Sequence, residues 1–346
     1  MEGRNNGTKQ KNQEQLSKDL FQRQKATSAQ AEKIERPSLN FYQDAWIRLR
    51  KSKGTIVGFI ITIIIVFFAF VGPMMNDHKF SDQNIRHAKL PPKIEALSGI
   101  SWLPFDGKDH EDFDVYEARQ VKENYWFGTD DLGRDLWTRV WKGTQVSLYI
   151  GILAAIIDFL IGISYGGISG YYGGRVDDIM QRIIEVLVGI PNLIVIILFI
   201  LVFEPGIFSI TMAMVLTGWT GMARIVRGQI LQLKNQEYVL ASRTLGSSNN
   251  RLIFKHLLPN VMGPVIITTM FTVPGAIYTE AFLSFIGLGI APPKASLGSL
   301  VNDGYKSIQS YPHMMLIPSA VISLIILSFN LMADGLRDAL DPKLRK

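Results

Sequence analysis

The sequence predicts an all-α integral membrane protein with six transmembrane helices. Three observations carry that expectation: long uncharged apolar runs recur along the 346 residues, polar residues concentrate between them, and lysine and arginine gather in alternate intervening segments. Hydrophobic residues make up 47% of the chain, although its first fifty residues are strongly polar. Mean hydropathy is nevertheless +0.16, so the apolar content is held in blocks. Lipid offers the backbone no hydrogen-bond partners, so each block must be helical.

Taken in order, residues 1–36 are rich in Gln, Lys and Glu and poor in large apolar side chains, the composition of a disordered tail. A pre-span segment, 37–53, follows. Twelve lysines and arginines lie at or before Lys53, the last being Arg48, Arg50, Lys51 and Lys53, which places the N-terminus in the cytosol. Residues 54–76 carry no charge and, at about 1.5 Å per residue, cross a hydrocarbon core of about 30 Å. This apolar run begins too late for a cleaved secretory signal, so it reads as an anchor. The remaining spans fall at about 143–172, 186–203, 205–223, 257–279 and 314–333. They leave external segments at 77–142 and 280–313, a cytosolic loop at 224–256 and a cytosolic tail at 334–346. Thirteen acids against ten bases in 77–142, and six bases against one acid in 224–255, agree with this topology.

Several chemistries are excluded. The chain has no cysteine, so disulfides, thiolate metal sites and cysteine nucleophiles are absent. The net charge of +6 fits cytosolic retention of basic residues better than nucleic-acid binding, because the aromatic residues lie in apolar runs and not in basic patches. No Gly-x-x-x-x-Gly-Lys-Ser/Thr phosphate loop occurs, and neither His-Glu-x-x-His nor Gly-x-Ser-x-Gly is present. No catalytic, cofactor-binding or metal-binding residue is therefore expected. His78, His87 and His110 stand near Asp109, Glu111 and Asp112 without metal-ligand spacing, and solvated loop is the better reading.

Five features inside this frame bear on function. Phe127-Gly128-Thr129-Asp130-Asp131-Leu132-Gly133-Arg134-Asp135 ends the first external segment, and Thr129 and Asp130 suit a helix cap. Gly162, Gly166, Gly170 and Gly174 recur every four residues, forming a stripe on which another helix can pack closely, in this chain or in another. Asp158 lies mid-span, equally suited to a translocation path and to an inter-helix bond. Glu280 follows a long apolar run and is expected near the outer boundary, more as an interfacial residue than as a substrate contact.

The cytosolic loop is the fifth feature. Glu237 to Leu245 has the pattern of a short amphipathic helix that Gly246 ends. Ser247 or Ser248 can cap a second helix, Arg251 to Leu258, expected to stop near Pro259. Small Ala241 and Ser242 let a partner surface approach, while Arg243 and Arg251 can meet acidic groups on it. Two helices on a net basic loop favour a docking element over a plain surface loop.

With those residues in view, the chain resembles the permease subunit of an ATP-binding-cassette importer, specifically the C-type permease of oligopeptide and dipeptide systems. Phe127–Asp135 carries the match, as do Leu240–Pro259, which is the region of the EAA motif, and Glu280–Pro293. Gly335–Pro342 adds to it. Leu240 stands where the broad EAA pattern has Glu, Ser242 where it has Ala and His256 where it has Ile; His256 with Leu258-Pro259-Asn260 is usual in peptide permeases. The resemblance implies the type I importer permease fold and a heterodimer with a second permease. It also implies two cytosolic ATPases that bind ATP and Mg, and an extracellular peptide-binding protein. ATPase docking would then fall to Glu237, Leu240, Ala241, Ser242, Arg243, Leu245, Gly246, Arg251, His256 and Pro259. Relatives carrying dipeptides, nickel or other small solutes share the motifs. A membrane sensor or scaffold is the alternative from another class.

Overall fold

The computed structural model describes residues 41–96, 98, 105–108 and 113–340. The expected tail at 1–36, the acid and histidine group at 109–112, and the terminal residues from Asp341 lie outside them. Of two compact units, Met1–Gln43 and Asp44–Lys346, the second holds the helical bundle.

Helix α1 (Phe41–Lys51) ends on Arg48, Arg50 and Lys51. Helix α2 (Lys53–Val71) starts at Ser52, whose hydroxyl accepts the Thr55 N–H, and closes in a 3-10 turn at Gly72–Met74, where Pro73 cannot continue the α pattern. Among the described residues between α2 and α4 there is one short α-helix, α3 (Val115–Ala118), capped by Asp114. The bundle then runs through α4 (Leu136–Tyr172), α5 (Gly174–Gly189), α6 (Asn192–Phe203), α7 (Ile207–Thr217) and α8 (Thr220–Leu233). It continues with α9 (Glu237–Thr244), α10 (Asn249–Arg251), a π-helical turn (Leu252–Leu257), α11 (Leu258–Phe285), α12 (Leu297–Tyr305) and α13 (His313–Leu340). The described residues contain isolated β-bridges but no strand.

Among the described residues, four helical segments are long and apolar enough to cross a membrane: Lys53–Met74, Leu136–Tyr172, Asn249–Phe285 and His313–Leu340. A fifth arises if α5 and α6, bent by 78° at their junction, count as one span. The third expected span, 186–203, is thus broken. Ile190 is extended (φ −88°, ψ 122°) because it precedes Pro191, which disfavours the helical region for its neighbour. The fourth, 205–223, is divided too: α7 starts only after Pro205-Gly206, and α7 gives way to α8 at Gly218-Trp219. Both junction residues keep right-handed helical dihedrals, so the chain continues in the same hand.

Two of the bundle's apolar clusters join most of its long helices. Ile65, Ala69, Leu136, Trp137, Val140, Trp141, Val273, Ile277, Leu297 and Ile325 join α2, α4, α11, α12 and α13. Ile163, Met222, Val226, Ile230, Val239, Leu252, Leu257 and Val261 join α4, α8, α9, the π turn and α11. The outward face of α2 carries Phe59, Ile63, Phe67 and Phe70, each about half exposed or more. Side chains of that kind belong against lipid or another membrane chain, not water.

The glycine stripe finds its mate within this chain. A Cβ on Gly162 would meet Met222, one on Gly166 the Ala223 carbonyl, and one on Gly170 the Arg227 carbonyl and Ile230, all on α8. Gly174 does not continue the stripe: α4 has ended at Tyr172, and a Cβ there would meet nothing within 4 Å.

Candidate functional site

The segment before α4 is a fastener and not a helix start. Asp135 is the N-cap of α4, accepting the Thr138 N–H at 2.8 Å, while Thr129 and Asp130, expected as caps, hold the preceding turn. Asp130 accepts the N–H groups of Leu132 and Arg134 through Oδ1 and the Arg134 Nε at 2.6 Å through Oδ2. Arg139 of α4 lies 3.2 Å from the same Oδ2. Thr129 donates to the His87 carbonyl and accepts from the Leu90 N–H, which ties residues 87–90 to the membrane helix. His87 Nδ1 is 2.8 Å from the Tyr125 hydroxyl and His78 stacks on the same ring, so both histidines have packing roles.

The two membrane-depth carboxylates are both buried. Asp158 Oδ2 accepts the Thr272 hydroxyl at 2.5 Å, linking α4 to α11, and its Oδ1 has no hydrogen-bond partner. Glu280 is not the interfacial residue expected from the apolar run. It is fully buried, accepting from Ser147 at 2.9 Å and Ser284 at 2.7 Å, with Ser296 bonded to Ser284 at 3.1 Å. The reason is that α11 extends to Phe285 and α12, capped by Ser296, folds back over it.

The loop between α8 and α11 is built around one anchor. Val239 is the buried residue of α9, packed with Leu252 and Leu257, and burying such a side chain contributes about 1.5–3 kcal/mol. The opposite side of α9 faces outward: Glu237, Tyr238, Leu240, Ala241, Arg243 and Thr244 are exposed. Leu245, just past the helix, is 87% exposed, and Phe254 on the π turn is 69% exposed. Gly246 has φ +83° and donates its N–H to the Arg243 carbonyl at 3.0 Å, the left-handed turn that stops α9. Gly246 and Arg251 are also exposed.

Ser242 and His256, expected to dock, are half-buried and in contact within the loop, and Arg243, though exposed, is held from one side. Ser242 contacts Ser247 at 2.9 Å and His256 at 3.4 Å, closing the loop from inside. Arg243 lies over the Tyr171 ring at 5.8 Å, and that tyrosine donates to Asn249 at 2.7 Å, so the guanidinium is steadied by α4. Pro259 does not stop a helix. Ser248 caps α10, the π turn widens the coil, and helix runs unbroken from Asn249 to Phe285. The Asn260 side chain donates to the His256 carbonyl at 2.5 Å beside the proline.

Beneath the loop lies an ion pair that the sequence reading did not single out. Arg227 of α8 grips Asp177 of α5 through two bonds of 2.6 Å, and Ser169 of α4 donates to the same carboxylate. Lys234 adds a bond to the Gly170 carbonyl at 2.9 Å. Three helices are thereby clamped behind α9. Tyr238 and Phe254 were also not singled out; an aromatic residue within a basic loop is the signal that marks them.

α9 is thus a short loop helix held by one buried residue, with apolar and basic side chains on its outer face. Residues 159–346 match the binding-protein-dependent transport system inner membrane component family, and residues 40–92 match the N-terminal transmembrane domain of oligopeptide transport permease C. The chain belongs to this permease family. It is 45% identical over 331 residues to the oligopeptide transport system permease protein OppC of Bacillus subtilis (strain 168), covering 96% of this chain and 99% of the relative. Identity to the dipeptide transport system permease protein DppC of the same organism is 45% over 333 residues, covering 96% and 95%. A solved structure of the MetNI methionine ABC transporter aligns at 15% identity and TM-score 0.49, over 58% of this chain and 95% of that one. As a family member, the chain is a membrane-spanning transport component.

Proposed function

We propose that the chain is one of two permease subunits of an ATP-driven oligopeptide importer, forming half of the pathway and taking its driving force from separate ATPases. The observation that carries this reading is the outward platform of α9 on a chain that contains no phosphate loop of its own. Leu240, Leu245 and Phe254 supply apolar contact, and Arg251 supplies charge. Val239 and the Asp177–Arg227 clamp give the platform a rigid base, so displacement of α9 is passed to α4, α8 and α11. Transport of this kind requires two packed states with different contacts in each.

The second permease and the ATPases are separate chains in this proposal, and an extracellular peptide-binding protein delivers the cargo. ATP and Mg are assigned to the ATPases. Both termini are assigned to the cytosol, from the basic residues before α2 and at the end of the chain. The matches to OppC and DppC relatives support a peptide cargo, and their equal identity makes dipeptides the second reading. Proteoliposomes test the proposal. Labelled peptide should accumulate when the companion permease, the ATPases, the binding protein and ATP are all present; accumulation by this chain alone without ATP would overturn it.

A further inference from the structure

We propose that the cavity between the α6–α7 turn and the segment following α11 is a receiving subsite for the free termini of an incoming peptide. Glu204 meets the ammonium end and Lys294 the carboxylate end. This subsite rests on the peptide-import reading above. The cavity has a volume of about 570 Å³, within the range of about 300–1,000 Å³ usual for small-molecule sites. The charge pattern puts both the α6–α7 turn and the α11–α12 segment on the external side, where an importer takes up its cargo.

The lining has the chemistry that peptides of varied sequence share. Tyr149, Leu153, Phe208 and Ile290 give walls without side-chain demands, while Glu204 and Lys294 stand in them as opposite charges. Both are exposed, and neither has an ion-pair partner among the described residues. Every linear peptide offers one ammonium, one carboxylate and backbone amides, whatever its side chains.

Two further observations mark a built site. Glu204 adopts φ +67°, a left-handed conformation that residues with a Cβ seldom keep without function, and buried Ser209 donates to its carbonyl at 2.5 Å. Thr211 lines the same cavity at 8% exposure, and its Oγ1 has no hydrogen-bond partner. Buried hydroxyls are rarely left so, and because this oxygen is itself closed off from the cavity, a peptide amide would satisfy it once the Thr211 side chain turns toward the opening.

The absence of cysteine makes a direct test possible, because A291C on the cavity lining introduces the only thiol in the chain. The assembled transporter in nanodiscs, with companion permease, ATPases and binding protein, is treated with a maleimide in the presence of a non-hydrolysable ATP analogue. Tri-alanine-loaded binding protein should slow modification of the thiol, and unloaded binding protein should not. In the E204Q or K294Q background, reaching the same protection should require about tenfold more tri-alanine. No slowing, equal slowing by unloaded binding protein, or unchanged protection in both variants would overturn the subsite. ATP-driven tri-alanine uptake by the unsubstituted transporter is measured alongside. Uptake without protection removes the subsite alone, whereas no uptake removes the import reading with it.

Discussion

Gly246 and Val239 govern the platform from opposite sides of α9. At φ +83° with open space around it, Gly246 could accept a Cβ sterically but not conformationally. Gly246→Pro would also remove the N–H bonded to Arg243 and force φ to about −65°. The variant should insert normally yet fail to retain the ATPases on co-purification, and Ala241→Arg should do the same by crowding the exposed face. ATPases retained at the unsubstituted level by both variants would remove the docking role. Val239→Asp acts from within: an unpaired carboxylate placed among Leu252 and Leu257 should lower stability by about 3 kcal/mol or more, read as an earlier thermal transition in detergent.

The contact of α4 with α8 is set by backbone approach at the glycines. A Cβ on Gly166 would lie 2.3 Å from the Ala223 carbonyl, whereas one on Gly167 would meet only Leu258 at 3.7 Å. Gly166→Leu should therefore abolish a stable fold, and Gly167→Ala should be neutral or stabilising by about 0.5–1 kcal/mol; thermal scans of the two variants check this. Arg227→Lys should weaken the clamp by about 1–2 kcal/mol, because an ammonium cannot reproduce the paired 2.6 Å bonds to Asp177.

These elements also show what could be read beforehand. Spacing identified the glycine face and the α9 pattern, since both follow from helical period. The mate of the stripe was not legible, because period names a face and not its neighbour. Glu280 was misplaced because its burial depends on Ser147, which is 133 residues away in sequence, and on α12 folding back. Pro191 marks a break in the sequence itself, but the continuous apolar composition around it still reads as one span, and Pro259 was read as a stop because a π turn leaves no simple sequence mark.

On the import reading, the whole molecule is a half-pathway worked through the loop between α8 and α11 by another protein. The lipid-length helices, the buried polar links between them and the clamp behind α9 form a body that can respond as a unit. In the proposed importer the energy source is a separate ATPase, and the exposed Leu245 and Phe254 are where it would attach. The most direct measurement is cross-linking from L245C and F254C, each the only thiol in the chain, within the assembled transporter. The account predicts adducts with an ATPase subunit from both positions; adducts with the companion permease alone, or none with an ATPase from either position, would contradict it.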